Sequence, residues 1–245
     1  MAERLAITDA VREYSADAGV LGASLHVAAG EVHALIGLNG AGKTTLMRAV
    51  LGMVRLDSGT VRIGGVPLDR VPTAAWSRVG HLIDHPFAYP DIDTRSNLAI
   101  AARLRTVPHG EVAATVEAAL EYWGLAPYTA VRAATLSKGN RQRLGLAAAF
   151  VAGPDLAVLD EPTDGLDPAG VIALREALRD HADRGAGVLV SSHHLDEVAR
   201  FADRISVMNH GRIIAALDPA GTDLEREFFA LLLDDDAQRD LEAQA

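Results

Sequence analysis

The sequence predicts an α/β fold in which a parallel sheet is layered with helices. Three observations predict it. "VHALI" at 32–36, "LAVL" at 156–159 and "GVLVS" at 187–191 are short unbroken apolar runs, the pattern of strands buried on both faces. Helical patterns separate them, as crossovers between parallel strands require. The first run also ends in "GLNGAGKTTL" (37–46), a glycine-dense loop leading straight into a helical pattern.

Taken in order, the elements support that reading. The N-terminal strand is expected to join "HVAAGEVHALIG" and "GTVRIGGVPL", which alternate as antiparallel strands do, in a β subdomain. "KTTLMRAVLG" sets Leu46, Met47, Val50 and Leu51 at helical spacing and stops at Gly52. Residues 85–150 are rich in helical pattern, as in "HGEVAATVEAALEYWGL", and read as an inserted helical subdomain. Strands then alternate with helices as far as the hairpin-like "RISVMNHGRIIAAL". "TDLEREFFALLLDDD" is expected to be a short amphipathic helix packed on the body, with the acidic triplet beyond it. The chain thus reads as one domain. Residues 1–84 and 151–220 form the core and β subdomain, 85–150 the helical subdomain, and 221–245 a C-terminal helical tail.

Composition narrows the function classes. A formal charge of −10 without a basic cluster argues against an extended nucleic-acid-binding face. The absence of cysteine excludes disulfides, thiolate zinc sites and iron–sulfur ligation. The longest apolar runs, "LGLAAAFVAG" and "FFALLL", fall well short of the roughly 20 residues a membrane helix needs. A soluble chain is expected, and any membrane-spanning part must come from other subunits. The start of the sequence lacks the layout of a signal peptide.

Lys43 and Lys138 are the only lysines in a chain that otherwise uses arginine for positive charge. One of the two stands inside the glycine loop, where a compact ammonium fits among phosphate oxygens better than a planar guanidinium. "GLNGAGKT" (Gly37, Leu38, Asn39, Gly40, Ala41, Gly42, Lys43, Thr44) fills the pattern G-x-x-x-x-G-K-[ST], with Thr45 following. The glycines let backbone N–H groups turn inward on an anion, and the next helix points its positive end there. Lys43 is placed to reach the β- and γ-phosphates of a nucleoside triphosphate, and the Thr44 hydroxyl to ligate Mg²⁺. The expected fold is therefore a P-loop NTPase with a RecA-like core.

"LAVL" ends in Asp160 and Glu161, two carboxylates at the C-terminal end of a buried strand, where open α/β sheets bind ligands. Asp160 suits a Mg²⁺-holding role and Glu161 that of a general base toward water. "LSKGNRQ" opens a helix with Ser137 as its N-cap.

The ordered set "GLNGAGKTT", "LSKGNRQRL", "LAVLDEP", "GLD" and "SSHHLDE" closely resembles the ATP-binding subunits of ABC transporters across nearly the whole chain. The resemblance implies ATP and Mg²⁺ as ligands and a head-to-tail dimer in which each ATP lies between one phosphate loop and the partner's signature loop. Ser137, Gly139 and Asn140 then face the γ-phosphate held by the partner's phosphate loop, and Asp167 of "TDGLD" lies at the dimer interface. The pattern S-S-H-x-L-x-E puts the γ-phosphate-contacting histidine at His193 rather than His194. Tyr14 aligns with the aromatic that stacks on adenine. The resemblance further implies an ATP-hydrolysing motor for export, of the ABC-2 kind. It would lie peripherally at the cytoplasmic face of the cell membrane, bound to a separate permease and without membrane insertion of its own.

Two departures stand out. The usual signature L-S-G-G-Q carries Lys138 and Asn140 at its third and fifth positions. Where the family has a Mg²⁺-contacting glutamine, "GHLIDHPFAYP" offers Asp84, a hard-oxygen ligand of shorter reach. Two other classes stay open at this point: a soluble ABC-type machine acting with soluble partners, and a cassette that binds ATP without turnover.

Overall fold

The structure, a computed structural model, describes residues 2–15, 18–86 and 88–243. The chain opens with the hairpin β1 (Glu3–Ser15) and β2 (Ala18–Ala28), then drops into the interior as β3 (Val32–Ile36) and turns through the glycine loop into α1 (Lys43–Val50). After β4 (Ser58–Ile63), β5 (Val66–Pro67) and the single turn α2 (Thr73–Trp76), β6 (Val79–Leu82) leads to three helices. These are α3 (Thr94–Leu104), α4 (Val112–Tyr122) and α5 (Lys138–Phe150). The rest alternates: β7 (Leu156–Leu159), α6 (Pro168–Asp183), β8 (Gly187–Ser192), α7 (Leu195–Val198), β9 (Arg204–Asn209), β10 (Arg212–Leu217) and α8 (Leu224–Ala243).

Two sheets organise these elements. β2-β1-β4-β5 is antiparallel throughout. The second sheet runs β10-β9-β3-β8-β7-β6 and is parallel except for β10 against β9. The apolar runs explain why three of its strands sit in the middle. In β3, β7 and β8 every residue is buried, so both faces must be covered. Alternate side chains feed two cores: Ala34, Ile36, Ala157, Leu159, Val188 and Val190 point to one, and Leu35, Leu156, Val158 and Leu189 to the other. The second core is closed by α1 and the antiparallel sheet, the first by the helices. Each fully buried leucine of this kind stabilises the fold by about 1.5–3 kcal/mol over leaving it exposed.

Two expectations need correction. "VHALI" follows the parallel course that its apolar run predicts, and not the antiparallel one read for it together with "HVAA": the chain leaves that sheet after Ala28, and the run pairs in parallel with β8 and β9 as a doubly covered strand. The C-terminal helix is not short, since α8 runs 20 residues and carries the acidic triplet within it. Leu224, Phe228 and Leu232 pack it on the core, and Asp235 and Asp236 take the Asn209 amide at the β9–β10 turn at 2.9 and 2.8 Å.

Candidate functional site

Gly42 begins α1 at φ +107, a conformation that side-chain-bearing residues rarely adopt. A β-carbon there would also run into the Gly19 carbonyl, so the tip of the β1–β2 hairpin is pressed against the phosphate loop. No side chain caps α1. The N–H groups of its first turn, at Lys43, Thr44 and Thr45, lack intrahelical acceptors and form a built anion site. Leu38, Asn39 and Gly40 form the exposed crest of the loop, while Ala41 N–H closes a turn on the Leu38 carbonyl at 3.1 Å. Lys43 is only 6% exposed, and its ammonium spans the loop by donating to the carbonyls of Gly37 (2.7 Å) and Leu38 (3.3 Å).

Beside the loop stand the two carboxylates that end β7. Thr44 Oγ1 donates to Asp160 Oδ2 at 2.7 Å, and Ser191 Oγ donates to Asp160 Oδ1 at 2.5 Å. Ser191 Oγ also accepts the Glu161 N–H at 3.0 Å. Glu161 itself sits at φ +45, an uncommon left-handed position for a residue with a side chain. The turn aims its carboxylate at two cationic or donor groups: Oε1 lies 3.6 Å from the Lys43 ammonium, and Oε2 receives His193 Nδ1 at 2.9 Å and the His193 N–H at 3.2 Å. Lys43, Thr44, Asp160, Glu161 and His193 are thus one connected cluster, built from α1 and the ends of β7 and β8.

The remaining expected residues lie elsewhere. Tyr14 is 54% exposed near the end of β1, its ring 5.0 Å from the Arg12 guanidinium. Its strand pairs Glu13 with Gly19, which puts it at the hairpin end that abuts the loop. Ser137 caps α5 by accepting the Asn140 N–H at 3.2 Å. Gly139 fits under the Gly165 carbonyl with no room for a β-carbon. Asp167 caps α6 through the Gly170 N–H at 2.8 Å and pairs with Arg143. Among the described residues, no hydrogen bond or ion pair joins Ser137, Gly139 or Asn140 to the phosphate loop.

Asp84, expected as a metal ligand, is engaged by Arg48 in this structure. It follows β6 at φ +62, and Arg48 of α1 engages both of its carboxylate oxygens. That contact also holds the Arg48 guanidinium above its ordinary pKa. Both oxygens of the Asp84 carboxylate thus already accept from a cation of the chain itself.

Sequence reasoning passed over three residues that wire the site. Ser191 was visible only as a polar end to an apolar strand, and Arg48 only as the residue four positions after Thr44 on the same helix face. Gln142, buried on α5, donates to the Pro162 carbonyl at 3.0 Å and so ties the signature helix to the Glu161 turn.

Fold and site together define a phosphate-loop nucleoside triphosphatase with a carboxylate poised beside the anion cradle. Residues 20–164 match the family described as ABC transporter. The chain is 38% identical over 209 residues to the Nod factor export ATP-binding protein I of Paraburkholderia xenovorans, covering 85% of this chain and 69% of that one. It is 38% identical over 192 residues to the bacitracin transport ATP-binding protein BcrA of Enterococcus faecalis, covering 78% of this chain and 61% of that one. Among solved structures, an ATP-binding subunit of an ABC transporter superposes with a TM-score of 0.82 at 29% identity, over 95% of this chain and 97% of that one. CbiO1 of Clostridium perfringens, part of an ABC transporter complex, superposes at 0.75 with 26% identity over 94% and 92%. The chain belongs to the ABC transporter ATP-binding family, whose members hydrolyse ATP, and is an ATP-binding subunit of a transporter.

Proposed function

We propose that the chain is the ATP-hydrolysing motor of an exporter of the ABC-2 kind. Its permease is a separate polypeptide, and the chain works as a head-to-tail dimer on the cytoplasmic face of the membrane. A relative named for Nod factor export supports the direction. No helix among the described residues is long and apolar enough to cross a membrane, which supports a separate spanning partner.

The backbone of Gly37–Thr45 cradles the triphosphate, Lys43 neutralises its β- and γ-oxygens, and Tyr14 stacks on the adenine. Thr44 and Asp160 are the residues that hold Mg²⁺: two hard oxygen donors 2.7 Å apart beside the anion cradle suit that cation. When bound, the ion neutralises charge on the phosphate oxygens. Glu161 accepts a proton from the attacking water, and His193 holds the Glu161 carboxylate in place through Nδ1 while its other nitrogen faces the γ-phosphate. Ser137, Gly139 and Asn140 complete the site of the partner protomer, with Asp167 at the interface.

The observation that carries this reading is Glu161 held between the Lys43 ammonium and His193. Light scattering with Mg-ATP tests it. Glu161→Gln is expected to accumulate as a dimer while wild type returns to monomer as ATP is consumed. A Gln variant that stays monomeric with ATP bound overturns the dimer mechanism.

A further inference from the structure

One group of side chains at the site has no part in that mechanism. These are Asp164, in the turn after Glu161, and His194, next to His193. Asp164, His193 and His194 each bring a ligand atom within 4.8 Å of the others. The two imidazoles are exposed and close, with ring centroids 3.9 Å apart and planes tilted by 42°. Two further contacts hold the group in position: Asp164 N–H bonds the Glu161 carbonyl at 3.1 Å, and His194 N–H bonds Ser192 Oγ at 2.9 Å.

We propose that Asp164, His193 and His194 form a site for a borderline transition-metal cation, Zn²⁺ above all, and that the bound ion switches the ATPase off. This rests on the catalytic reading of Glu161 and His193. The donor set is the first argument. Two imidazoles and a carboxylate suit Zn²⁺, whereas Mg²⁺ prefers an all-oxygen shell, so the site is chemically separate from Thr44 and Asp160. The His193 tautomer is the second. An ionised carboxylate only accepts, so the hydrogen shared with Glu161 Oε2 sits on Nδ1. In the neutral imidazole Nε2 then offers a lone pair to a metal, whereas donating to the γ-phosphate needs Nε2 protonated, so the two uses exclude each other. A histidine whose remote nitrogen is held by a carboxylate is the arrangement that orients and strengthens an imidazole ligand.

Distance is the third argument. A tetrahedral Zn²⁺ with bonds of about 2.0–2.1 Å needs donor atoms roughly 3.4 Å apart. The group therefore has to close by a little over an ångström, roughly, which rotamer changes of exposed side chains can supply. Three protein donors leave a fourth position for water. The functional consequence follows from shared atoms. A metal on His193 Nε2 occupies the nitrogen that the γ-phosphate would otherwise meet.

Titration of the full chain with Co²⁺, followed by its visible d–d absorption and by displacement with Zn²⁺, tests the site without reference to activity. Wild type is expected to take up one Co²⁺ that Zn²⁺ displaces. His194→Ala and Asp164→Asn are each expected to bind at least about tenfold more weakly. No absorption band, or wild-type affinity in both variants, overturns the site. Hydrolysis of Mg-ATP at buffered free Zn²⁺ tests the switch: wild type is inhibited, and His194→Ala needs at least about tenfold more Zn²⁺ for the same loss. Equal inhibition of the two, or none while the band forms, overturns the switch. A metal-free wild type that releases no phosphate sinks the catalytic reading instead, and the Co²⁺ band still decides the site.

Discussion

Asp84 and Asp160 occupy matching places. Each follows the end of a strand, β6 and β7, that pair side by side in the parallel sheet, and each faces α1. Their partners on that helix, Arg48 and Thr44, are four residues apart and share one face. Yet one aspartate is a buried acceptor of two hydroxyl donors, and the other is half in solvent on a guanidinium. Hydroxyls leave a carboxylate its full negative charge to direct at a cation. A guanidinium cancels that charge. Position at a strand end offers a carboxylate to the ligand, and the neighbour supplied by α1 decides whether it is used.

The largest expected effect separates the two directly. Asp160→Ala removes the acceptor for Thr44 and Ser191 and the anionic oxygens beside the phosphate loop, so phosphate release should fall by about 10²–10³-fold. Asp84→Ala, in the same assay, should stay within about threefold, the small change expected of an exposed ion pair. Equal losses in the two variants would end the distinction.

Ser191→Ala sharpens it from the structural side. The hydroxyl serves Asp160 Oδ1 and the Glu161 N–H together in a fully buried position. Its loss leaves buried polar groups unpaired, and stability should drop by about 1–3 kcal/mol in urea unfolding. No side chain at Asp84 depends on a comparable buried contact.

The same rule, that surroundings set the state of a polar group, extends to His33 of β3, 1% exposed between the His26 carbonyl and Ser206. Burial lowers its pKa from the usual 6.5, the His26 carbonyl and Glu31 raise it in part, and Arg204 and the His26 ring lower it again. His81 and His181 are lowered too, both chiefly by burial. A depressed imidazole binds its proton more readily in the unfolded chain. Stability is therefore complete above pH 6.5 and lost as pH falls below it toward the folded-state values. Each such group contributes a slope of at most about 1.4 kcal/mol per pH unit. His33→Gln should flatten the acid limb of thermal unfolding measured between pH 7 and 5. An unchanged limb would mean that the imidazole is not what acid attacks.

Much of this architecture is legible in the sequence because its signals are local. "GLNGAGKT" carries its own turn geometry and its lysine, and "LAVLDE" announces both a doubly buried strand and the carboxylates at its end. What is not legible depends on partners far apart in the chain. Nothing near "HLIDHP" says that Asp84 meets Arg48, 36 residues earlier, and nothing near "VSSH" says that Ser191 holds Asp160. That "VHALI" parts from its neighbour "HVAA" is not local either, since which strands it joins is settled more than 150 residues away. Nor does anything near "LLLDDD" say that Asp235 accepts from Asn209, 26 residues upstream.

The smallest effect bears on Asp84 itself. Arg48 and Asp84 are both more than a third exposed at their side chains, so water screens the pair and its coupling should be small. A double-mutant cycle of Arg48→Ala and Asp84→Ala is expected to give about 0.2–1 kcal/mol by urea unfolding, falling as salt is raised. A coupling several times larger would mean that the pair is clamped by its surroundings, and Asp84 would then belong with Asp160 as a fixed element of the site. Asp84→Gln refines the point, because an amide cannot neutralise Arg48 and leaves the guanidinium to face the Asp160 carboxylate within its electrostatic reach. If Arg48 is what keeps Asp84 from the nucleotide, that variant should leave stability nearly unchanged while shifting the Mg²⁺ dependence of ATP binding. An unshifted dependence would place the β6 end outside the nucleotide site altogether.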